Sequence, residues 1–209
     1  MLAKAIRFPY EIRTMKLRYL IVLLVSVVLA RAEVLFNGKD IKGWVPMHGG
    51  EWTIEDGVLI GKNGTNWTTN PEKSGSWLRT AKEYGDFVLE LEYAINQRGN
   101  AGVFFRSAIE KNPAFTGYEM QINDDHGRKP SKGSSCGLYD VVAASQNMSK
   151  PAGEWNTVKI ATKGQHIQVW VNGEKTVDIQ GERATKGYIG LQNHDARSVV
   201  KFRNVRVTE

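Results

Sequence analysis

The amino-acid sequence predicts an all-β domain in which two antiparallel sheets pack as a jelly-roll sandwich. Short runs rich in Val, Ile, Phe, Tyr and Trp recur between Gly, Asn and Asp turns, and no segment after residue 32 has a helical period. An Asn172-Gly173 pair lies inside an alternating pattern, which is a strong hairpin signal. About eleven short strands in a single domain favour a two-sheet jelly roll.

The predicted strands are short apolar or alternating segments separated by turn residues. They cover residues 52–54, 58–60, 77–80, 87–94, 102–107, 118–122, 138–142, 155–162, 166–171, 188–192 and 199–207. Two polar stretches, 61–75 and 123–135, are long enough to form a site. The pattern contains no internal repeat and no linker, so we predict a single domain over residues 33–209.

The N-terminal segment has the order of regions typical of a secretory signal peptide. Lys16 and Arg18 precede an apolar run at 19–30, and Ala30 and Ala32 provide the small residues of a cleavage site. The run is shorter than the ~20 apolar residues that span a bilayer, although an uncleaved anchor is the alternative. We therefore predict a signal peptide over residues 1–32, with Met15 as the true start, and no membrane attachment after cleavage. The mature protein is expected in the periplasm or outside the cell.

Charge and cysteine content exclude several classes of function. The chain has a formal net charge of +6, but residues 1–32 carry six basic residues and one acidic residue, so the mature part is close to +1. A nucleic-acid-binding domain should keep a basic patch after processing, and none stands out, so nucleic acid is not an expected partner. Cys136 is the only cysteine, which excludes an intrachain disulfide and a cysteine-built metal site.

Strand alternation places polar side chains on one face of several predicted strands. In segment 118–123, the apolar Tyr118, Met120 and Ile122 should face the core, while the intervening residues face the other way. The resulting polar stripe contains Arg106, Glu119, Gln121, Tyr139, Gln192 and His194. Amide, guanidinium, imidazole and phenol groups of this kind suit sugar hydroxyls and sugar rings, so a carbohydrate is the expected partner. A solvated outer face is the alternative.

Ten segments, taken in order, resemble the 3-keto-disaccharide hydrolase family of bacteria. They are FNGKDIKGW at 36–44, WTIEDGVL at 52–59, YGDFVLELE at 84–92, NAGVFFR at 100–106, GYEMQI at 117–122, GLYD at 137–140, GEWN at 153–156, VNG at 171–173, GLQNH at 190–194 and FRNVR at 202–206. The chain departs from the family at Ala101, where Ser is usual, and at Cys136, where Thr is common. The resemblance implies a concanavalin-like jelly roll and activity on glycosides already oxidised at C3.

The side chains at 119, 121 and 123 bear on the mechanism. Laminarinase-type jelly-roll glycosidases fill this spacing with carboxylates, and their chemistry needs two carboxyl groups flanking the bond. Here Gln121 and Asn123 are amides, so that mechanism has little support. A C3 ketone acidifies the C2 hydrogen, so one base could remove that proton and the C1 substituent could leave by β-elimination. Water addition to the resulting enone would complete a net hydrolysis.

This chemistry gives the stripe residues candidate roles. His194 is the first choice for the base, because an unperturbed imidazole titrates near pH ~6.5, and Glu119 is the alternative base, the acid or a metal ligand. Arg106 could stabilise the enolate or form a structural ion pair with Glu119. The expected substrate-binding residues are Gln121, Gln192, Tyr139 and Asp124.

No sequence motif identifies a cofactor, although Glu119, Asp124 and His194 could gather a divalent cation. The main rival function is a non-catalytic carbohydrate-binding module, because this fold hosts many lectins. A secreted scaffold or envelope protein is a third reading, but it leaves the polar stripe without a role. The oligomeric state does not follow from the sequence.

Overall fold

The computed structural model of the protein describes residues 31–66 and 75–209. The predicted signal peptide lies outside the described residues, apart from its last two positions. The described chain forms thirteen strands and one short helix. They are β1 (Glu33–Val34), β2 (Trp44–Met47), β3 (Glu51–Glu55), β4 (Val58–Lys62), β5 (Trp77–Tyr84), β6 (Phe87–Ile95), β7 (Asn100–Ser107), α1 (Pro113–Thr116), β8 (Tyr118–Asn123), β9 (Asn156–Lys163), β10 (His166–Val171), β11 (Glu174–Gln180), β12 (Gly187–Asn193) and β13 (Val200–Thr208).

The strands form two antiparallel sheets, as predicted. The larger sheet has eight strands in the order β11-β10-β9-β6-β13-β4-β3, with β1 paired to β13, and the smaller has five in the order β2-β5-β12-β7-β8. The main core lies between them. It takes apolar side chains such as Leu89 and Phe202 from the larger sheet and Leu78, Val103 and Leu191 from the smaller. The predicted jelly-roll sandwich is therefore confirmed.

The hairpin between β10 and β11 follows the predicted turn chemistry. Asn172 and Gly173 are the two connecting residues, with φ values of 53° and 88°. A type I′ turn needs a positive φ at both central positions, which Asn and Gly supply with little strain. The turn also fixes the register that pairs Val171 with Glu174.

Three sequence expectations about individual elements were wrong or incomplete. Residues 138–142 do not form a strand, because Asp140 takes a positive φ of 60° and only isolated bridges form from Leu138 to Met120 and to Val142. The strands β1, β2 and β11 were missed. β2 and β11 are edge strands, and Pro46 in β2 is tolerated there because an edge position does not need its missing N–H. The four-residue helix α1 was missed as well.

No helix in the described part of the chain is long and apolar enough to cross a membrane.

Candidate active site

A cavity of about 190 Å³ opens on the outer face of the five-stranded sheet. The side chains on β7, β8 and β12 that alternate with core positions point to this face. Its walls come from α1, from the segment that follows β8 and from the segments on either side of residues 67–74. The described lining residues are Thr65, Gly75, Ser76, Asn100, Asn112, Ala114, Phe115, Glu119, Gln121, Tyr139, Gln192 and His194.

The strand register explains why these side chains meet. Gln192 lies opposite Gly102 in the β12–β7 pair, and Gly102 lies opposite Gln121 in the β7–β8 pair. In the neighbouring row, Phe104 lies between Gly190 and Glu119. Strand pairing therefore brings the polar residues of two distant segments, 119–121 and 192–194, to one cavity.

Two glycines leave the space that larger side chains need on this face. A methyl group at Gly102 would lie 2.2 Å from Oε1 of Glu119, and one at Gly190 would lie 2.3 Å from the indole ring of Trp77. Both distances are far below van der Waals contact, so the two side chains lie directly over glycine backbone. The indole of Trp77 then meets the ring of Phe104 edge to face at 5.5 Å, and Ala114 of α1 packs on this pair. The site thus has a small apolar floor of its own.

Glu119 is the most unusual group in the cavity. The residue is 4% exposed, and its carboxylate has no hydrogen bond or ion pair with the described residues. Burial of the carboxylate disfavours its charged form and raises its pKa from the ordinary value of 4.5 to about 8. Near neutral pH, Glu119 therefore holds a proton that it can donate.

His194 follows the last residue of β12 and lines the same cavity. Its Nδ1 lies 3.2 Å from Oδ2 of Asp195, a residue that the sequence analysis did not select. Burial opposes ionisation of Asp195, but hydrogen bonds from the Arg197 backbone N–H, His194 and Ser198 outweigh it and lower its pKa to about 2. An ionised Asp195 holds a proton on Nδ1, which leaves Nε2 of His194 as a proton acceptor.

A further chain of contacts fixes Asp195 against the sheet. Its Oδ1 accepts from the backbone N–H groups of Arg197 and Ser198 and from the Ser198 hydroxyl, at 2.8–3.0 Å. The hydroxyl oxygen of Ser198 accepts in turn from the backbone N–H of Asn100 at 2.8 Å. His194 is thereby positioned relative to the start of β7, on the same face as Glu119.

The three predicted sugar-binding residues in the cavity differ in how far their polar groups are already used. The amide nitrogen of Gln121 donates to the side-chain oxygens of Asn100 and Asn123, at 2.9 and 3.2 Å. The side chain of Gln192 makes no hydrogen bond within the described residues, and its oxygen is buried without a partner. The ring of Tyr139 lies 6.1 Å from that of Phe115. Gln192 is therefore the glutamine whose amide no described residue occupies.

Arg106 does not lie in the cavity, contrary to the sequence expectation. Between Phe104 and Ser107, β7 has one more residue than the facing part of β12, and Arg106 takes a positive φ of 54° at this bulge. A bulge breaks the side-chain alternation on which the expectation rested. The guanidinium is fully buried, where it donates to the carbonyls of Gly85 and Gly164 and pairs with Asp86 at 3.1 Å. The expected alternative, an ion pair with Glu119, is also wrong.

Asp124 is likewise outside the cavity. Its carboxylate accepts from the backbone N–H of Arg98 at 2.8 Å, in the turn between β6 and β7. Because it stabilises this turn, Asp124 does not join Glu119 and His194 in a cation site. Within residues 31–66 and 75–209, no group of three or more His, Cys, Asp or Glu residues could hold a metal ion.

Sequence reasoning missed several residues that complete the site. They are Asp195, Asn100, Asn112, Phe115, Thr65 and Ser76. A signal existed for Asp195, because the order His-Asp-x-Arg-Ser places a short acidic side chain where it can cap the following turn. Phe115 carried no signal, since a single aromatic residue in a one-turn helix has no period.

Comparisons with known proteins agree with this architecture. The 3-keto-disaccharide hydrolase of Bacteroides thetaiotaomicron is 27% identical over 227 aligned residues, covering 83% of this chain and 76% of that protein. A crystal structure of a candidate glycosyl hydrolase from Parabacteroides distasonis is 28% identical, with a TM-score of 0.70, and covers 84% of this chain and 92% of that one. A Bacillus subtilis protein of unknown function with a galectin-like fold has a TM-score of 0.59 at 14% identity, over 85% of this chain and 94% of that one, a likeness of fold alone.

The family assignment rests on a match along almost the whole described domain. The model of the 3-keto-alpha-glucoside-1,2-lyase-like domain matches residues 31–208. This span contains both sheets and every described residue of the cavity. The chain therefore belongs to the family of 3-keto-alpha-glucoside-1,2-lyase-like domains.

Proposed function

We propose that this protein cleaves glycosides that carry a ketone at C3, by removing the C2 proton and eliminating the substituent from C1. Family membership and the hydrolase from Bacteroides thetaiotaomicron support this substrate class. One observation carries the mechanism. A buried carboxyl group with a pKa of about 8 shares a cavity with a histidine whose Nδ1 contacts an ionised aspartate.

His194 is the base in this mechanism and Glu119 is the acid. Nε2 of His194 takes the C2 proton, and the electron pair of the C–H bond moves into the enolate of the C3 ketone. The enolate then expels the C1 substituent, whose oxygen receives the proton of Glu119. Enzymes often separate the acid and base roles by giving two titratable groups opposite environments, as burial and Asp195 do here.

The enolate oxygen needs hydrogen-bond donors, and Arg106 is not available because its guanidinium binds Gly85, Gly164 and Asp86. The free amide of Gln192 is the donor that we assign to this role. Donors fixed in a cavity that excludes water stabilise developing negative charge strongly. Gln121 has its amide nitrogen committed to two neighbours, so its oxygen is left to accept from a substrate hydroxyl.

Elimination leaves an enone between C1 and C3, and addition of water completes a hydrolysis. The proton on His194 exchanges with solvent while the enone is bound. His194 then protonates C2, while Glu119, now ionised, accepts a proton from the water that adds at C1. Both groups return to their starting states. No second carboxylate is needed, which agrees with the amides at positions 121 and 123.

The test compares oxidised and unoxidised glycosides. We expect the purified domain to release the C1 substituent from 3-keto-glucosides but not from the parent glucosides. A substrate deuterated at C2 should lose its label to solvent during turnover. Turnover with complete retention of deuterium would contradict the elimination.

A carbohydrate-binding module without catalysis is the second candidate, and the amide-rich cavity beside Tyr139 and Phe115 favours it. A lectin would bind oxidised and unoxidised sugars with comparable affinity and cleave neither. A sugar-binding site has no need of a buried, unpaired carboxyl group, which costs stability. For this reason we place the enzyme first.

A further inference from the structure

We infer that Phe115 forms a platform for the leaving group, so that the enzyme selects glycosides whose C1 substituent presents a flat, apolar face. This inference rests on the proposed function, because it divides the cavity into a part for the oxidised sugar and a part for the group that leaves. A second sugar ring, with its C–H face, and an aromatic aglycone both have the required chemistry.

The first observation is the exposure of Phe115 itself. It is 50% exposed, and within the described residues only Val34 and Ile109 are other large apolar side chains with comparable exposure. Of these three residues, Phe115 alone lines the cavity. A half-exposed aromatic ring at the rim of a polar cavity contributes binding energy only when a ligand covers its apolar face.

The second observation is that α1 holds Phe115 on a firm support. The Asn112 side chain accepts from the backbone N–H of Ala114, and Arg183 donates to the carbonyls of Ala114 and Gly117 at 2.7 and 2.9 Å. The Ser107 hydroxyl donates to the carbonyl of Pro113 at 2.9 Å. A helix of one turn is not stable alone, so these contacts hold the backbone that carries the ring without help from a ligand.

The third observation is the position of Phe115 relative to the reacting groups. Its ring is tilted at 59° to that of Tyr139, whose backbone N–H donates to the carbonyl of Glu119 at 2.9 Å. This backbone contact places the aromatic pair beside β8, the edge strand that carries the acid Glu119, whereas the base His194 follows β12, on the other side of β7. The acid must lie next to the leaving oxygen, so the group attached to that oxygen lies toward the pair. Tyr139 and Phe115 then contact the leaving group and not the oxidised ring.

The experiment measures how Phe115→Ala changes kcat/KM for three 3-keto-glucosides, with a methyl, a glucosyl or a phenyl substituent at C1. A lost stacking contact should lower kcat/KM roughly 3- to 10-fold for the glucosyl and phenyl substrates. The methyl substrate has no face to stack, so its kcat/KM should change less than about 2-fold. Phe115→Tyr keeps the ring and should restore the selectivity. Ile109→Ala is the matched control, since it removes an exposed apolar side chain that does not line the cavity.

Dissociation constants for the unoxidised methyl, glucosyl and phenyl glucosides separate this inference from the proposed function. A protein that binds these glucosides and cleaves none of the oxidised forms contradicts the proposed function, yet a selective loss of binding in Phe115→Ala still supports the platform. Equal changes for all three substituents, or none, overturn the platform even if every oxidised substrate is cleaved. If Phe115→Ala impairs only the glucosyl compounds, the platform binds a second sugar ring. If it impairs only the phenyl compounds, the platform binds an aromatic aglycone.

Discussion

The outer faces of the two sheets carry glutamates in opposite electrostatic states. On the eight-stranded sheet, Glu90 receives a hydrogen bond from Arg206, which lowers the pKa of its carboxyl group. Burial opposes ionisation of Glu92 on the same strand, but Asn204 and Arg203 outweigh it and also lower its pKa. On the five-stranded sheet, Glu119 has no such partner and its pKa rises to about 8. Both faces follow the same strand alternation, so the pattern alone does not distinguish a carboxylate held in an ion pair from a carboxyl group buried without one.

The two faces differ in how far neighbouring segments shield them from solvent. The ion pairs of the eight-stranded sheet are partly exposed, with 39% of the Glu90 side chain and 53% of the Arg206 side chain accessible to solvent. Segments outside the five-stranded sheet, including α1 and the residues around Tyr139, build walls over Glu119. Desolvation acts on a carboxylate only where such walls exclude water. The loops therefore turn one side of an ordinary sheet into an enclosed cavity with a buried carboxyl group.

The largest expected effect is the loss of catalysis when either reacting group is removed. His194→Ala and Glu119→Gln should each lower kcat on a 3-keto-glucoside by about 10²- to 10⁴-fold, the usual range for a lost general base or acid. Steady-state kinetics and thermal unfolding of both variants would check this. Glu90→Gln is the matched control from the other sheet and should keep full activity. Normal kcat in both site variants would remove them from the mechanism.

The second effect is a pH dependence of stability that belongs to Glu119. Between about pH 4.5 and about pH 8 the unfolded chain releases this proton while the folded protein retains it, so the folded protein loses stability as the pH rises. The loss amounts to a few kcal/mol, at roughly 1.4 kcal/mol per pH unit. Glu119→Gln should therefore be more stable than the wild type at pH 8, and the difference should shrink toward pH 4.5. Urea unfolding at several pH values would measure it, and parallel curves for the two proteins would refute it.

A smaller effect is expected at Gly102, which leaves room for the Glu119 carboxyl group. The methyl group of Gly102→Ala would displace this carboxyl and should lower kcat by about 10-fold, because small misplacements of catalytic groups are costly. Overpacking should also cost about 1–3 kcal/mol of stability. Gly133→Ala is the control, since a methyl group there would meet no atom within 4 Å. Unchanged kinetics in Gly102→Ala would mean that the position of the carboxyl is not critical.

The smallest effect concerns the paired glutamate. Glu90→Gln removes a largely exposed ion pair and should cost less than about 1 kcal/mol in the free energy of unfolding. The pH dependence of stability from Glu90 is opposite to that from Glu119. Because the folded state lowers the pKa of Glu90, this carboxylate stabilises the fold at pH values above its ordinary pKa of 4.5, and that stabilisation is lost as the pH falls. Urea unfolding at pH 7 and pH 3 would compare the two. A larger cost at pH 3 than at pH 7 would contradict the role of the ion pair with Arg206.

Sequence periodicity predicted those parts of the fold and site that depend on regular strands. Glu119, Gln121, Gln192 and His194 were grouped correctly because β8 and β12 keep their alternation up to the cavity. The bulge at Arg106 was not predictable, since an extra residue in one strand is visible only against its partner. The position of Asp124 was not predictable either, because its carboxylate binds the Arg98 N–H in the turn between β6 and β7, and strand alternation does not extend into a turn.

Export and cleavage after Ala32 stay predictions, and N-terminal sequencing of the secreted protein should find Glu33 first.

The buried guanidinium of Arg106 has a consequence for how relatives of this protein are interpreted. It joins β7 of one sheet to the turn before β6 and to the turn between β9 and β10 of the other, through acceptors that only a planar, multidentate cation can satisfy together. Lysine could not satisfy these acceptors together, so we expect an arginine at this position in relatives with this architecture, whether or not they share the proposed reaction. Its presence in a relative therefore reports a shared scaffold, while Glu119, His194 and Asp195 are the positions to inspect for a shared reaction.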